Sequence, residues 1–231
     1  NINNFMDGDD TLLPHTPEFL CGYSLPFDYD KNAACPFYDK ISMEIIGTKE
    51  RKELWEECMG MMLYQPEKLE KFILMYGEGR NGKGVLLKIA EQMLGTENVC
   101  SVPLECLKAN NFLMYSTLGK KANIIGDMPV IEKVDEGLIK GYVSKEIQAF
   151  NRKFKPPIMA SPTAMLVFAT NTMPIISDKS DGIWSRMIAI EFKNQILNES
   201  KQDKRLVSGD FWNQTGELPG IFNKALAGMY R

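Results

Sequence analysis

The sequence predicts an α/β fold in which a parallel β-sheet is surrounded by helices. From residue 71 onward, short apolar runs of strand length alternate with amphipathic stretches of helical period. This pattern is typical of buried parallel strands that are joined by helices. A glycine-rich turn separates the first apolar run from the helix that follows it. Stretches with helical signals flank this core, so we expect a looped and helical segment at 1–68, an α/β core at 69–196, and a linker with a C-terminal helix at 197–231.

The composition is that of an ordinary globular protein. The chain has 231 residues, of which 44% are hydrophobic and 25% charged, and its net charge is −3. No apolar run approaches the ~20 residues that a membrane-spanning helix needs, so we expect no association with a membrane. The chain opens on Asn1 with polar residues and without a signal peptide, and we expect it to be a piece of a longer protein.

The cysteine and histidine pattern excludes two further classes of protein. The five cysteines form no CxxC pair and the sequence has a single histidine, which excludes the common zinc-binding spacings. An odd number of cysteines argues against a disulfide framework, and a reducing cytoplasm is the expected compartment. Because the chain is acidic overall, binding to nucleic acid would require a local concentration of positive charge.

The first segment is predicted to combine loops with helices. Residues 1–47 are rich in Asp, Pro and aromatic residues and show little periodicity, which is typical of loops with short helices. From Glu50 to Tyr64 the apolar residues recur on one face of a helix, and Pro66 is expected to end that helix.

The second segment contains the elements of the sheet. Buried strands are predicted from KFILMY, ANIIGD, AMLVFATN and MIAIEF, and helices from VLLKIAEQML and EKVDEGLIKGYV. The stretch EIQAFNRKFK is typical of a β-hairpin with its turn near Asn151 and Arg152. A polar linker over Asn194–Asp210 and a final amphipathic helix in ELPGIFNKALAGMYR complete the chain.

The glycine-rich turn GEGRNGKG has the G-x4-G-K frame of a phosphate-binding loop. In such a loop, glycines let backbone N–H groups converge on a phosphate, and the lysine neutralises the phosphate charge. The position between a strand and a helix favours this function over the alternative, a structural glycine turn between core elements. The candidate nucleotide-binding residues are Gly77, Gly79, Asn81, Gly82, Lys83 and Gly84.

The residue after the lysine departs from the usual pattern. Phosphate-binding loops carry Ser or Thr at this position, and its hydroxyl binds Mg²⁺. This sequence has Gly84 instead. Either a water molecule replaces the hydroxyl or metal binding is weakened.

Two polar residues follow apolar strands of the core. Asp127 follows Ala122–Gly126, which we expect to lie beside the strand that leads to the loop, where a carboxylate holds Mg²⁺ or orients water. Asn171 ends the strand in AMLVFAT, and its carboxamide could bind an attacking water or a phosphate. The alternatives are a helix cap or turn for Asp127 and a simple turn for Asn171.

A local basic island lies between Lys140 and Lys155 in this otherwise acidic chain. Glu146 is the one acid among its cations, which are Lys140, Lys145, Arg152, Lys153 and Lys155. Three aromatic residues are interleaved with them, namely Tyr142, Phe150 and Phe154. A basic hairpin can follow a phosphate backbone, and an aromatic residue near its tip can stack on a base. The alternative is a solvated hairpin with its aromatic residues in the core.

These motifs occur in the order found in the superfamily-three helicases, and the sequence resembles the phage/plasmid primase family of that superfamily, which is related to the poxvirus primase-helicase. GEGRNGKG matches motif A, KKANIIGDMP motif B, IKGYVSKEIQAFNRKFK the hairpin motif called B-prime, and LVFATNTMP motif C. DGIWSRMIAIEF matches the arginine-finger segment. PHTPEFLCGYSLPFDYDKNAACPFY and ELPGIFNKALAGMYR resemble the segments before and after the motor.

The resemblance implies an AAA+-type P-loop NTPase core, a homo-hexameric ring, and hydrolysis of ATP with Mg²⁺. It further implies translocation along single-stranded DNA at a replication origin or fork, as part of a phage- or plasmid-type replication protein. A primase domain or primase protein is the implied partner, because the family usually carries one upstream and this chain has no room for it.

The resemblance also assigns roles to residues. Lys83 corresponds to the Walker lysine, Asp127 to the motif B acid that binds Mg²⁺ with the nucleotide, and Asn171 to the sensor. The local sequence around Arg186 indicates an ordinary surface arginine. In the family it corresponds to an arginine finger, which contacts the nucleotide of a neighbouring subunit. The often doubled arginine of the family is Ser185-Arg186 here. The DNA-binding cations of the hairpin correspond to Arg152, Lys153 and Lys155.

Two other functions compete with a helicase motor. A nucleotide-binding assembly or initiator module with weak or no hydrolysis is favoured by Gly84 and by the lack of a second acid beside Asp127. A small-molecule P-loop kinase would need an arginine-rich lid, and the basic hairpin and the helical flanks argue against it.

Overall fold

A computed structural model describes residues 16–64, 69–107, 112–128, 136–174, 181–195 and 203–231. The strands are β1 Phe72–Tyr76, β2 Val99–Cys100, β3 Ala122–Ile125, β4 Gln148–Arg152, β5 Lys155–Ala160, β6 Met165–Thr170 and β7 Met187–Glu191. The α-helices are α1 Pro36–Ile46, α2 Lys49–Leu63, α3 Lys83–Leu94, α4 Glu136–Val143, α5 Asp181–Trp184, α6 Phe211–Gln214 and α7 Leu218–Tyr230. Short 3₁₀ turns lie at Pro17–Phe19, Thr96–Asn98, Leu104–Cys106, Phe112–Thr117 and Lys204–Val207.

Five strands form one parallel sheet in the order β2-β3-β6-β1-β7. The predicted α/β fold with a parallel sheet is therefore confirmed. Strands β3 and β6 are buried along their whole length, and β1 is buried except at its last residue, because helices or loops cover both faces. This burial explains why these strands read as continuous apolar runs. The sequence reading missed β2, since two residues are too few to show a periodic pattern.

The parallel sheet has two edges at which strands begin or end together. The amino edge is formed by residues that precede the strands, such as Lys121 and Arg186, and the carboxyl edge by residues that follow them, such as Gly77 and Asn171. In open α/β sheets, ligands bind outside the carboxyl ends of the strands.

Helices from the two ends of the chain pack on each other against one face of the sheet. The closest approach of α2 and α7 occurs at glycines: a Cβ added at Gly60 would lie 2.6 Å from the carbonyl oxygen of Ala225. A Cβ added at Gly228 would lie 2.6 Å from the backbone of Glu56. The core of this face includes the fully buried Trp55 and residues of α3. The division of the sequence into three segments remains a prediction.

The other face of the sheet carries α4 and the hairpin β4–β5. Phe150 of β4 is fully buried there beside Tyr142 of α4. The hairpin is confirmed, but its turn is at Lys153 and Phe154, about two residues later than predicted. A register irregularity lies between Phe150 and Arg152, where one residue of β4 faces two residues of β5.

Some predictions fall outside the described residues. These are the looped residues 1–15, the helix stop at Pro66, the first residues of the helix predicted in EKVDEGLIKGYV, and residues 196–202 of the predicted linker. Within the described ranges, the cysteines are unbridged and no cluster of three or more metal-ligating side chains occurs. No helix in the described part of the chain has the length and apolar character needed to cross a bilayer.

Candidate nucleotide-binding site

The glycine-rich turn connects β1 to α3, and two of its glycines are required by the backbone. Gly82 precedes α3 with φ +83°, in the left-handed region, and a Cβ there would lie 2.7 Å from a side-chain carbon of Ile45. Gly77 has φ +149°, and a Cβ there would lie 2.3 Å from the carbonyl oxygen of Phe192. The loop is therefore packed between helix α1 and the segment that follows β7.

Lys83 is the first residue of α3, and only 7% of it is exposed. Its ammonium donates hydrogen bonds to the carbonyl oxygens of Gly77 and Glu78 and, at 3.0 Å, to Oδ1 of the buried Asn81. Burial lowers the pKa of Lys83, and the nearby carboxylate of Asp127 opposes that shift. The loop thus holds the lysine charge against its own backbone, where an anion could replace the carbonyl contacts.

A pocket of about 420 Å³ opens beside this loop, a size typical of small-molecule sites. Lys83, Asp127 and Asn171 all line it. The structure thus brings together three residues that are far apart in the sequence, all at the carboxyl edge. Of the predicted nucleotide-binding residues, those that line the pocket are Gly79, Asn81, Gly82, Lys83 and Gly84. Gly77 does not line it, and contributes a carbonyl to Lys83 instead.

The predicted position in the sheet of the strand that leads to Asp127 is wrong. The strand beside β1 on this side is β6, which leads to Asn171, and β3, which leads to Asp127, is one strand further away. A sequence pattern identifies strands but not their order in a sheet, which explains the error. Asp127 still reaches the pocket, and the next residue, Met128, donates a backbone hydrogen bond of 2.8 Å to Ala169 of β6.

Segments from both ends of the chain also line the pocket, with apolar residues beside the charged Glu44, Asp203 and Lys204. Ile41 and Ile45 of α1 line it together with Leu206 and Val207 of a 3₁₀ turn. The sequence reading missed these four residues. The spacing of the isoleucines is that of any helix face that packs in a core, and Leu206 and Val207 lie in the stretch that was assigned to a polar linker.

Gly84 lies in the first turn of α3 and also lines the pocket. A Cβ added there would meet no atom within 4 Å. A side chain would therefore fit at position 84, whereas it would clash with Ile45 at Gly82.

Arg186 lies at the amino edge, away from this pocket. Its Nη2 pairs with Oε2 of Glu70 at 2.5 Å, and its Nη1 donates to the carbonyl oxygen of Gly182 at 2.7 Å. Its backbone oxygen accepts a hydrogen bond from the first residue of β1, Phe72. Arg186 is not among the residues that line the pocket beside the glycine-rich loop of its own chain.

The hairpin exposes its basic tip. Lys153, Phe154 and Lys155 are exposed, Phe154 to 94%, and the ammonium of Lys153 lies 5.3 Å from the centre of the Phe154 ring. The guanidinium of Arg152 donates two hydrogen bonds to the carbonyl oxygen of Pro156. Of the three aromatic residues in the basic island, Tyr142 and Phe150 are therefore core residues, and only Phe154 is at the tip.

Comparisons with known proteins find a family model, two viral proteins and solved structures that are similar to this chain. A family model described as a family of unknown function (DUF5906) matches residues 75–186, from the end of β1 to Arg186. A protein with a helicase name from Invertebrate iridescent virus 6 is 25% identical over 88% of this chain and 25% of its own length. A second, from Acanthamoeba polyphaga mimivirus, is 23% identical over 63% of this chain and 16% of its own length.

Among solved structures, the C-terminal region of NrS-1 is similar in fold. One of its apo structures superposes with a TM-score of 0.63 at 15% identity, over 87% of this chain and 48% of that one. Another gives a TM-score of 0.64 at 13% identity, over 89% and 52% of the two chains. The chain thus spans a quarter or less of the curated relatives and about half of these structures. The predicted resemblance to helicase proteins and the α/β core are confirmed, the first by the two viral relatives and the second by the fold of the NrS-1 region.

Proposed function

We propose that this chain is the ATP-dependent DNA helicase motor of a phage- or plasmid-type replication protein, which translocates on single-stranded DNA as a ring. The observation that carries the proposal is the gathering of Lys83, Asp127 and Asn171 in one pocket behind a phosphate-binding loop. The helicase names of the two viral relatives support the same function.

The pocket fits ATP with its phosphates at the loop. Lys83 would neutralise the phosphates, and the backbone N–H groups at the start of α3 would bind them. Asp127 would hold Mg²⁺, which neutralises developing charge during phosphoryl transfer, and Asn171 would orient the attacking water. The apolar side chains of Ile41 and Leu206, which also line the pocket, would pack against the base of the nucleotide. A nucleotide seated this way would contact segments from both ends of the chain.

The position of Arg186 supports a role in a neighbouring subunit. Arg186 precedes β7 at the amino edge, whereas the loop follows β1 at the carboxyl edge. Strands of five residues separate these edges by about 17 Å, which is longer than an arginine side chain. An arginine at this position can therefore stabilise transferring phosphate only in another subunit, as a homo-hexameric ring would provide.

The hairpin is the proposed contact with single-stranded DNA. The exposed cations Lys153 and Lys155 can follow the phosphate backbone, and the exposed ring of Phe154 can stack on a base. A replication fork is the proposed substrate. A primase domain or primase protein is the proposed partner, which rests on the family resemblance.

A second candidate function is a nucleotide-binding assembly or initiator module with weak or no hydrolysis. Gly84 favours it, because the loop lacks the hydroxyl that usually binds Mg²⁺. No second carboxylate adjoins Asp127 in the sequence to serve as a general base.

The ATPase rate, measured with and without single-stranded DNA and alongside the oligomeric mass, tests the proposal. A helicase motor should hydrolyse ATP as a ring and accelerate several-fold when DNA is added. Nucleotide-dependent assembly without hydrolysis would support the initiator module instead. A monomer with DNA-independent hydrolysis would contradict both functions.

A further inference from the structure

A second pocket, of about 410 Å³, lies at the amino edge of the sheet. We call it the lysine pocket, because Lys120, Lys121 and Lys145 line it, and none of its described lining residues is acidic. Tyr23 and Thr163 line it as well. It lies at the opposite edge of the sheet from the nucleotide pocket and shares no lining residue with it.

The lysine pocket holds one of its cations in a partly buried position. The ammonium of Lys121 lies 3.5 Å from the centre of the Tyr23 ring and donates a hydrogen bond of 3.1 Å to the carbonyl oxygen of Leu63. Burial lowers the pKa of Lys121 to about 8, and Cys21 opposes that shift. An ammonium that is costly to keep charged in this position would be stabilised by an anion in the pocket.

The lysine pocket is built at the root of the basic hairpin. Lys145 lies three residues before β4, and Thr163 lies between β5 and β6, so the two ends of the hairpin contribute to its wall. Thr163 is fixed by two hydrogen bonds, because its Oγ1 accepts from the N–H of Gly119 at 2.8 Å and donates to the carbonyl oxygen of Thr117 at 3.1 Å. The backbone of Lys145 is in the left-handed region, with φ +54°.

We propose that the lysine pocket binds a phosphodiester group of the nucleic-acid strand that the hairpin contacts. The inference rests on the proposed function, since it extends the DNA path from the tip of the hairpin to its root. Strand β4 is about 17 Å long at the usual rise per residue. Phosphates of a stacked strand are about 3.4 Å apart along the axis, so the two contacts belong to nucleotides about five apart.

The test compares three variants of the full chain in binding to a labelled 20-nucleotide single strand across a range of salt concentrations. The pocket variant is K120Q with K145Q, and the hairpin variant is R152Q with K153Q and K155Q. The matched control is K31Q with K40Q, which removes two charges from exposed lysines elsewhere. Unchanged thermal unfolding midpoints establish that each variant is folded.

The pocket variant should lower the slope of log K against log salt by about 0.7, the value expected for the loss of one phosphate contact on a single strand. At ~0.1 M salt this corresponds to about fivefold weaker binding. The control should leave the slope unchanged, ATP affinity should be the same in all three variants, and K120R with K145R should restore the slope.

Other outcomes overturn the inference in distinguishable ways. An unchanged slope in the pocket variant beside a lowered slope in the hairpin variant removes the pocket from the DNA path and leaves the proposed function intact. Unchanged slopes in both variants contradict DNA binding by this face altogether. If the pocket variant loses only a calorimetric signal for inorganic pyrophosphate and keeps its DNA slope, the pocket is a site for a free phosphate.

Discussion

The two edges of the sheet differ in how much of a site each completes within one chain. At the carboxyl edge, Lys83, Asp127 and Asn171 line one pocket that is large enough for a nucleotide. At the amino edge, Arg186 presents a cation with no phosphate-binding loop beside it, and the hairpin that starts near this edge carries further cations at its tip. The residues that would bind a phosphate of the nucleotide therefore lie at the carboxyl edge, and those that would contact another molecule lie elsewhere. We expect the residues of the amino edge to function only in contact with a neighbouring subunit or with a strand of DNA.

The two edges also differ in how firmly their cations are held. Lys83 is buried and bound by three acceptors of its own loop. Within the described residues, Arg186 also has three acceptors, namely Glu70, the carbonyl oxygen of Gly182 and the hydroxyl of Ser144, but its anionic partner Glu70 is 43% exposed. Partly exposed ion pairs contribute only about 0–1 kcal/mol. Arg186 can therefore exchange Glu70 for another anion at small cost, whereas Lys83 stays at its loop.

The largest expected effect follows from replacing Arg186. Arg186→Ala should bind ATP nearly normally but hydrolyse it about 10³–10⁵-fold more slowly, because an arginine supplied in trans acts mainly on the transition state. ATP titration and the steady-state rate measure the two effects separately. Arg51→Ala is a matched control, since Arg51 is also partly exposed and ion-paired, here to Glu191, and should change the rate little.

Mixing variants tests whether Arg186 acts across a subunit boundary. Rings that contain both Arg186→Ala and Lys83→Ala have some interfaces with an intact lysine and an intact arginine. These interfaces should recover part of the ATPase activity that neither variant has. No recovery in demonstrably mixed rings would contradict the trans role.

Replacing Lys83 should affect the carboxyl edge alone. Lys83→Ala should weaken ATP binding and reduce hydrolysis by about 10²–10³-fold, as expected for the loss of one preorganised charged donor. The chain should still fold, although the loss of the hydrogen bonds of the buried ammonium should lower the free energy of unfolding by about 1–3 kcal/mol. Lys88→Ala, on the same helix but paired with Glu91, is the control. An ATPase rate equal to that of the native chain would refute the assignment of the loop.

The hairpin cations are expected to act on DNA binding and not on ATP. Replacing Arg152, Lys153 and Lys155 together by glutamine should lower the salt slope of single-strand binding by about 2.1, at about 0.7 for each lost contact. ATP affinity should be unchanged, because the hairpin lies away from the nucleotide pocket. An unaltered slope would make the hairpin an ordinary solvated surface.

Phe154 should contribute to DNA binding without altering its salt dependence. Stacking of a base on an exposed aromatic ring contributes about 1–3 kcal/mol, so Phe154→Ala should weaken binding about 5- to 150-fold at every salt concentration. Met159→Ala removes another exposed apolar side chain of the hairpin and is the control. Equal losses in the two variants would indicate a general effect on the hairpin rather than stacking at its tip.

Local patterns in the sequence predicted most of the carboxyl edge. Apolar runs located β1, β3, β6 and β7, and the G-x4-G-K frame located the loop. The order of the strands, which places β6 between β1 and β3, depends on contacts between distant residues and leaves no local pattern. The apolar lining of the pocket was not predicted for the same reason, because Ile41 and Leu206 line one pocket only in the folded chain.

The hairpin and the surroundings of Arg186 were harder to predict, because the sequence does not reveal which side chains are exposed and which are paired. Phe150 and Phe154 are both aromatic residues of one short stretch, yet one is fully buried and the other is 94% exposed. The turn of the hairpin is at Lys153 and Phe154, which places Phe154 at the tip, and alternation alone does not reveal that position. The pairing of Arg186 with Glu70 joins residues that are 116 positions apart.

The smallest expected effect concerns Gly84, where two physical causes can be separated. A Cβ there meets no atom within 4 Å, so Gly84→Ser should fold normally. Replacing a glycine inside a helix stabilises it by about 0.5–1 kcal/mol, and this gain should appear in Gly84→Ala as well. Only serine adds a hydroxyl that can bind Mg²⁺, so we expect Gly84→Ser, but not Gly84→Ala, to tighten binding of Mg²⁺–ATP by a few-fold. Titrating ATP with and without Mg²⁺ in both variants measures the difference. Equal affinities in the two variants would show that the hydroxyl does not reach the metal. Loss of binding in both would mean that the loop needs glycine at this position when nucleotide is bound.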